Sequence, residues 1–223
     1  MKKVMNVGVF LLFTYPAGLL IGGVLGLLRV AGFLEIKGWE NFPRQKGKIL
    51  LVSNHPYKGE QFLLTGLFLG QYLLRPLKYG PYTIADAKNY YNNPLWWFLR
   101  PRLIPVDRTR GDGRNPRSLL VARKILKSGG NVITFPEGGR TNKKGEIQLV
   151  SRGGNKIRQL KGGFSILAAE IGVITVPVWC KFYSWKRIKF TIGEPICFVG
   201  KPREEKEVVS KMKDILLKLA DAN

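Results

Sequence analysis

Histidine is nearly absent from this chain: His55 is the single one in 223 residues, and only two cysteines accompany it. A structural zinc site draws about four ligands from Cys and His, so this set does not support a zinc-stabilised module. Cys180 and Cys197 are each flanked by apolar residues in strand-like runs and read as reduced, buried thiols rather than a disulfide framework. Acidic residues are scarce as well, with 15 Asp and Glu against 37 Lys and Arg, a formal net charge of +22. An anionic partner is implied, and nucleic acid, an anionic membrane leaflet, or acidic substrates and carrier proteins all fit that field. The length suits one domain with a real core.

Charge is missing altogether from Val4 to Leu28. As one straight helix this stretch would run about 37 Å, enough for a bilayer core of about 30 Å. Pro16 divides it into two halves of about 17 Å, each too short to cross alone. Lys2 and Lys3 precede it, and Arg29 and Lys37 follow. Basic flanks on both sides predict a helical hairpin dipping into one leaflet, with both ends cytoplasmic. No small-x-small cleavage pattern follows, so the segment reads as a retained anchor, not a signal peptide. Residues 1–34 are therefore expected to be a membrane-anchoring helical segment and residues 35–223 a single domain.

Beyond the anchor, strand-like and helix-like runs alternate. This predicts an α/β domain with a largely parallel central sheet flanked by helices. The expected strands are Lys48 to Ser53, Leu103 to Val106, Asn131 to Phe135, Val173 to Cys180 and Ile188 to Ile192. Helical patterning covers Gln61 to Leu74, Pro116 to Lys127 and Phe164 to Ile171. From Arg203 to Leu219, Val208, Met212, Ile215, Leu216 and Leu219 share one face, the pattern of a docking helix. Arg108 to Asn115 and Arg140 to Lys161 read as irregular basic loops after strand ends, where open parallel sheets bind ligands.

His55 follows directly on one such strand, in Ser53-Asn54-His55-Pro56-Tyr57-Lys58-Gly59-Glu60. Five residues along a continuous helix rotate by about 140° and would point His55 and Glu60 apart. Pro56 and Gly59 instead favour a turn that brings them together. Glu60 can then accept a hydrogen bond from one ring nitrogen, leaving the other free to take a proton from a hydroxyl. That is the base and orienter of a serine-protease triad, with the nucleophile left to the substrate. A second run, Thr134-Phe135-Pro136-Glu137-Gly138-Gly139-Arg140-Thr141, again ends an apolar strand. Its glycines allow close approach of the backbone, and Arg140 offers a planar fork for phosphate.

Together the two runs resemble the glycerol-phosphate and lysophosphatidic acid acyltransferase family. Asn54-His55 is similar to the first signature of that family and Phe135 to Thr141 to the third. Ile104-Pro105-Val106-Asp107-Arg108 looks like the second, Val176-Pro177-Val178 like the fourth, and Lys161-Gly162-Gly163 like the Lys-Gly-Ala element. Glu60 stands where the family usually has aspartate, a feature also similar to the late acyltransferases that build lipid A and related glycolipids.

The resemblance implies that His55 deprotonates an acceptor hydroxyl, which attacks the thioester of acyl-CoA or acyl carrier protein without a covalent enzyme intermediate. It implies no metal and no cofactor beyond the acyl donor. Arg108, Arg140 and Lys161 would hold the acceptor phosphate, while Glu137 and Gly138 would help to place the acceptor. The implied acceptor is 1-acyl-glycerol-3-phosphate, with a glycolipid or another lysophospholipid as the alternative, at the cytoplasmic face of the inner membrane. The expected partners are membrane lipid and an acyl donor, the acidic acyl carrier protein among the candidates. A nucleic-acid-binding protein would explain the charge and aromatics such as Trp96, Trp97 and Tyr183 but neither strand-end motif.

Overall fold

A computed structural model describes residues 7–44, 47–57, 59–107, 116–141, 148–184, 187–198 and 205–222. The first element, helix α1 (Val7–Val30), is continuous and does not form the expected hairpin. Pro16 has no N–H, and its ring conflicts with the carbonyl four residues back. The helix absorbs this by widening into a π turn over Phe10–Thr14, where the N–H of Tyr15 bonds to the carbonyl of Phe10. Only a narrow stripe of α1 is buried, with Phe10, Thr14, Gly22 and Leu25 turned inward. The opposite face leaves Leu12 71%, Leu27 70% and Val30 89% exposed.

A seven-stranded sheet follows in the order β1-β9-β8-β2-β5-β3-β4. Its strands are β1 (Leu34–Lys37), β2 (Ile49–Ser53), β3 (Tyr82–Asp86), β4 (Leu103–Val106), β5 (Val132–Thr134), β8 (Ile174–Ser184) and β9 (Arg187–Ile192). All neighbours are parallel except β8 and β9, which form an antiparallel hairpin and so reverse β9 and β1 against the rest. Side chains of β2 alternate between two cores. Leu50 and Val52 join Ala122, Leu126, Phe164, Val208, Met212 and Leu216 on one face. Ile49 and Leu51 join Leu25, Leu64, Leu67 and Phe68 on the other. Helices α5 (Pro116–Lys127), α6 (Gly163–Ala168) and α7 (Glu205–Asp221) cover the first face. Helix α1 and the short helices α2 (Glu60–Gly66) and α3 (Leu69–Leu74) cover the second, and a single turn α4 (Pro76–Tyr79) leads back into β3.

Several expectations change here. The run Gln61 to Leu74 is broken into α2 and α3 around Leu67 and Phe68, both buried. Strands β1 and β3 had no counterpart in the sequence reading. The basic stretch Arg140 to Lys161 is not wholly irregular, because β6 (Gln148–Val150) and β7 (Lys156–Arg158) form a separate antiparallel hairpin. Cys180 is buried as expected, whereas Cys197 is exposed. Its neighbour Ile196 bridges to Thr175, and alternation along an extended segment turns the next side chain outward.

Candidate active site

Strands β2, β5, β3 and β4 all present their carboxyl ends to one side of the molecule, and a cleft of about 770 Å³ opens there. His55 lies at its wall two residues past the end of β2. The preceding residue fixes the departure of the chain: the Asn54 amide donates to the Cys180 carbonyl at 2.9 Å and accepts from the Cys180 N–H at 2.7 Å. That pair extends the β2–β8 ladder by side-chain hydrogen bonds after the strand has ended.

The turn then returns Glu60 to the imidazole as the first residue of α2. Nδ1 of His55 is hydrogen-bonded to Oε1 of Glu60, whose side chain is fully buried. The ring stacks on Phe135 at 4.6 Å between centroids. With Nδ1 engaged by a carboxylate, Nε2 is the nitrogen left to face a substrate, and the ring cannot rotate without losing both contacts. The turn therefore brings His55 and Glu60 together, as the spacing predicted.

The third-signature turn holds this loop in place. The N–H of His55 donates to Oε1 of Glu137 at 2.6 Å, and Thr141 Oγ1 donates to the same oxygen at 2.8 Å. The second carboxylate oxygen accepts from the N–H of Arg158 at 2.9 Å. The Thr141 N–H closes the circuit by donating to the His55 carbonyl at 2.8 Å. Burial pushes the pKa of Glu137 up, opposed by these hydrogen bonds and by the nearby His55. Glu137 was expected to help place the acceptor. The structure turns its fully buried carboxylate inward, where it clamps the backbone of the His55 loop.

Gly138 takes a left-handed φ of 66°, and a Cβ there would lie 2.7 Å from Cε of Lys161. The lysine stem thus lies across the glycine, and its own N–H donates to the Pro136 carbonyl at 2.8 Å. Gly138, Arg140 and Lys161 all line the cleft with His55. Arg108 lies outside the described residues. One cleft residue was missed by the motif reading: Arg158, at the end of β7, is 3% exposed and lines the same wall. The only signal for it in the sequence was its place in the basic stretch Arg140 to Lys161.

The acyltransferase family model matches residues 33–181. The chain belongs to the acyltransferase family. All of the site geometry above lies inside that span. This acyltransferase is 30% identical over 105 residues to the lyso-glycine lipid O-acyltransferase of Phocaeicola vulgatus, a match over 47% of this chain and 34% of that protein. The aligned stretch is thus about a third of the length of that curated relative. In fold it is similar to the crystal structure of PlsC, the 1-acyl-sn-glycerophosphate acyltransferase of Thermotoga maritima, with a TM-score of 0.59. That likeness covers 100% of this chain and 98% of the other at 20% identity, and it concerns the fold.

Proposed function

We propose that this acyltransferase moves a fatty acyl group from acyl-CoA or acyl carrier protein to the free hydroxyl of 1-acyl-glycerol-3-phosphate at the cytoplasmic face of the inner membrane. The observation that carries the proposal is the buried His55–Glu60 pair opening onto a cleft lined by Arg140 and Lys161. Nε2 of His55 takes the acceptor's hydroxyl proton while that oxygen attacks the thioester carbonyl. Collapse of the tetrahedral adduct forms the ester and breaks the carbon–sulfur bond, and the proton held on the imidazolium leaves with the thiolate as free thiol. Glu60 fixes the tautomer and stabilises the imidazolium between the two steps.

Membrane placement is supported by the exposed apolar face of α1, and an anionic leaflet and donor by the net charge of +22. A second reading, in which the acceptor is an amino-acid lysolipid bearing a carboxylate, is favoured by the similarity to the lyso-glycine lipid enzyme. Both are tested at once by incubating the purified protein with labelled acyl-CoA or acyl carrier protein and a panel of lysolipids, with products read by mass spectrometry. Ester formed on lysophosphatidic acid supports the first reading, and ester formed only on the carboxylate lipid supports the second. No product with any pair removes both.

A further inference from the structure

The β6–β7 hairpin delivers to the catalytic wall a guanidinium that lies outside every motif recognised in the sequence. Arg158 is 3% exposed and shares the cleft with His55, Arg140 and Lys161. A guanidinium there adds a planar cationic fork to the wall that Arg140 and Lys161 also line.

Its strand is held at several points. The N–H of Arg158 is on Glu137 and Gln148 Nε2 donates to the Thr141 carbonyl at 3.2 Å, while Ile157 is fully buried in the core. At the far end, Asp221 of α7 accepts from the N–H groups of Arg152 at 3.1 Å and Gly153 at 2.9 Å. Asn155 donates to the Ala220 carbonyl at 2.9 Å. The hairpin is thus a fixed element, pinned to the C-terminal helix and to the catalytic loop. One carboxylate, Glu137, receives the backbone of His55 on one oxygen and that of Arg158 on the other. The general base and the guanidinium-bearing strand are therefore held at a set separation.

We infer that Arg158 grips the anionic head group of the acceptor, phosphate or carboxylate, and sets the distance between that anion and the reacting hydroxyl. The inference rests on the acyl-transfer reading above and names the residue that selects the acceptor. Its planar fork suits either oxyanion, and its fixed strand favours head groups in which the anion lies a few bonds from the hydroxyl. Lysolipids lacking the anion have nothing for this guanidinium to hold, so replacing it should not change how they bind.

The test compares wild type with Arg158→Met and Arg158→Lys on lysophosphatidic acid, an N-acylglycine lysolipid and uncharged monoacylglycerol. Arg158→Met is expected to raise KM for both anionic acceptors by about tenfold to a hundredfold. KM for the acyl donor and activity on monoacylglycerol should stay at wild-type values. Arg158→Lys should fall between, with the phosphate acceptor rescued more than the carboxylate, since an ammonium serves as a point charge but not as a fork. Equal losses on charged and uncharged acceptors, or a rise in donor KM, would overturn the assignment. If Arg158→Met lacks a cooperative melting transition, Arg158→Lys decides alone, and unchanged KM for both anionic acceptors counts against the proposal. Equilibrium binding of the three lysolipids to detergent-solubilised wild type and variants reads the same contact without turnover. A wild type that binds lysophosphatidic acid through Arg158 yet transfers no acyl group would sink the proposed reaction while leaving this site standing.

Discussion

The backbone N–H of His55 and the carboxylate of Glu137, 82 positions apart in the chain, meet at 2.6 Å. The side chain of His55 is oriented by Glu60, but its main chain is oriented by Glu137, so two buried carboxylates serve one histidine. Glu137→Gln should therefore lower kcat on charged and uncharged acceptors alike, with any rise in KM limited to the anionic acceptors that Arg158 would hold. An amide keeps an acceptor oxygen but places N–H groups against the donors of the clamp, at a cost on the order of 1 to 3 kcal/mol of stability. Steady-state kinetics beside a denaturant titration check both effects. A rise confined to acceptor KM would restore the acceptor-binding role.

Removing the imidazole should have a larger effect. His55→Ala should cost on the order of 10²- to 10⁴-fold in kcat with circular dichroism and melting unchanged. Activity near wild type would end the mechanism.

Glu60→Asp is the sharper variant, because Glu60 begins α2 and its backbone cannot advance to make up a lost methylene. The hydrogen bond to Nδ1 should break, and kcat should fall nearly as far as with Glu60→Gln. An aspartate variant as active as wild type would show that the turn adjusts.

Gly138→Ala should destabilise the protein by about 1 to 2 kcal/mol from the left-handed backbone alone. The nearest obstruction is the flexible stem of Lys161, with Cδ at 2.8 Å from the added carbon. The double variant Gly138→Ala with Lys161→Ala should consequently cost less than the sum of the singles. Additive thermal-denaturation values would mean that the stem and the glycine do not interact.

Helix α1 docks through small residues: a Cβ at Gly18 would lie 2.4 Å from Cε1 of Tyr72, whose hydroxyl donates to the Thr14 carbonyl at 3.0 Å. Gly18→Ile should lift the helix off the domain and make it accessible to limited proteolysis. Leu12→Lys with Leu27→Lys, on the exposed face, should leave melting unchanged and weaken flotation with anionic vesicles. Unaltered flotation would show that this face does not meet lipid.

The elements legible in the sequence were those in which local pattern and tertiary role agree. Ile49 to Val52 is a continuous apolar run because its strand is covered on both faces, and the α7 stripe through Val208, Met212 and Leu216 is buried as its spacing predicts. Strand β3 escaped notice because Tyr82-Thr83-Ile84-Ala85-Asp86 reads as polar-edged chain between loops, although Thr83 and Ala85 are buried. Pro16 marked a break that the helix instead relieves with a π turn, a choice made by packing of Phe10 and Thr14 against the domain. At the site, His55 and Glu60 were readable from a turn five residues long. The inward direction of Glu137 was not, since it depends on backbone groups of residues far away in the chain.

The anchorage of Asp221 on the turn at Arg152 and Gly153 also exposes the cleft to a remote change. The strand whose Arg158 shares Glu137 with His55 is steadied by a carboxylate 166 positions beyond that histidine. A substitution at Asp221 would therefore slacken the cleft wall from the far helix, without touching any residue that lines the cleft.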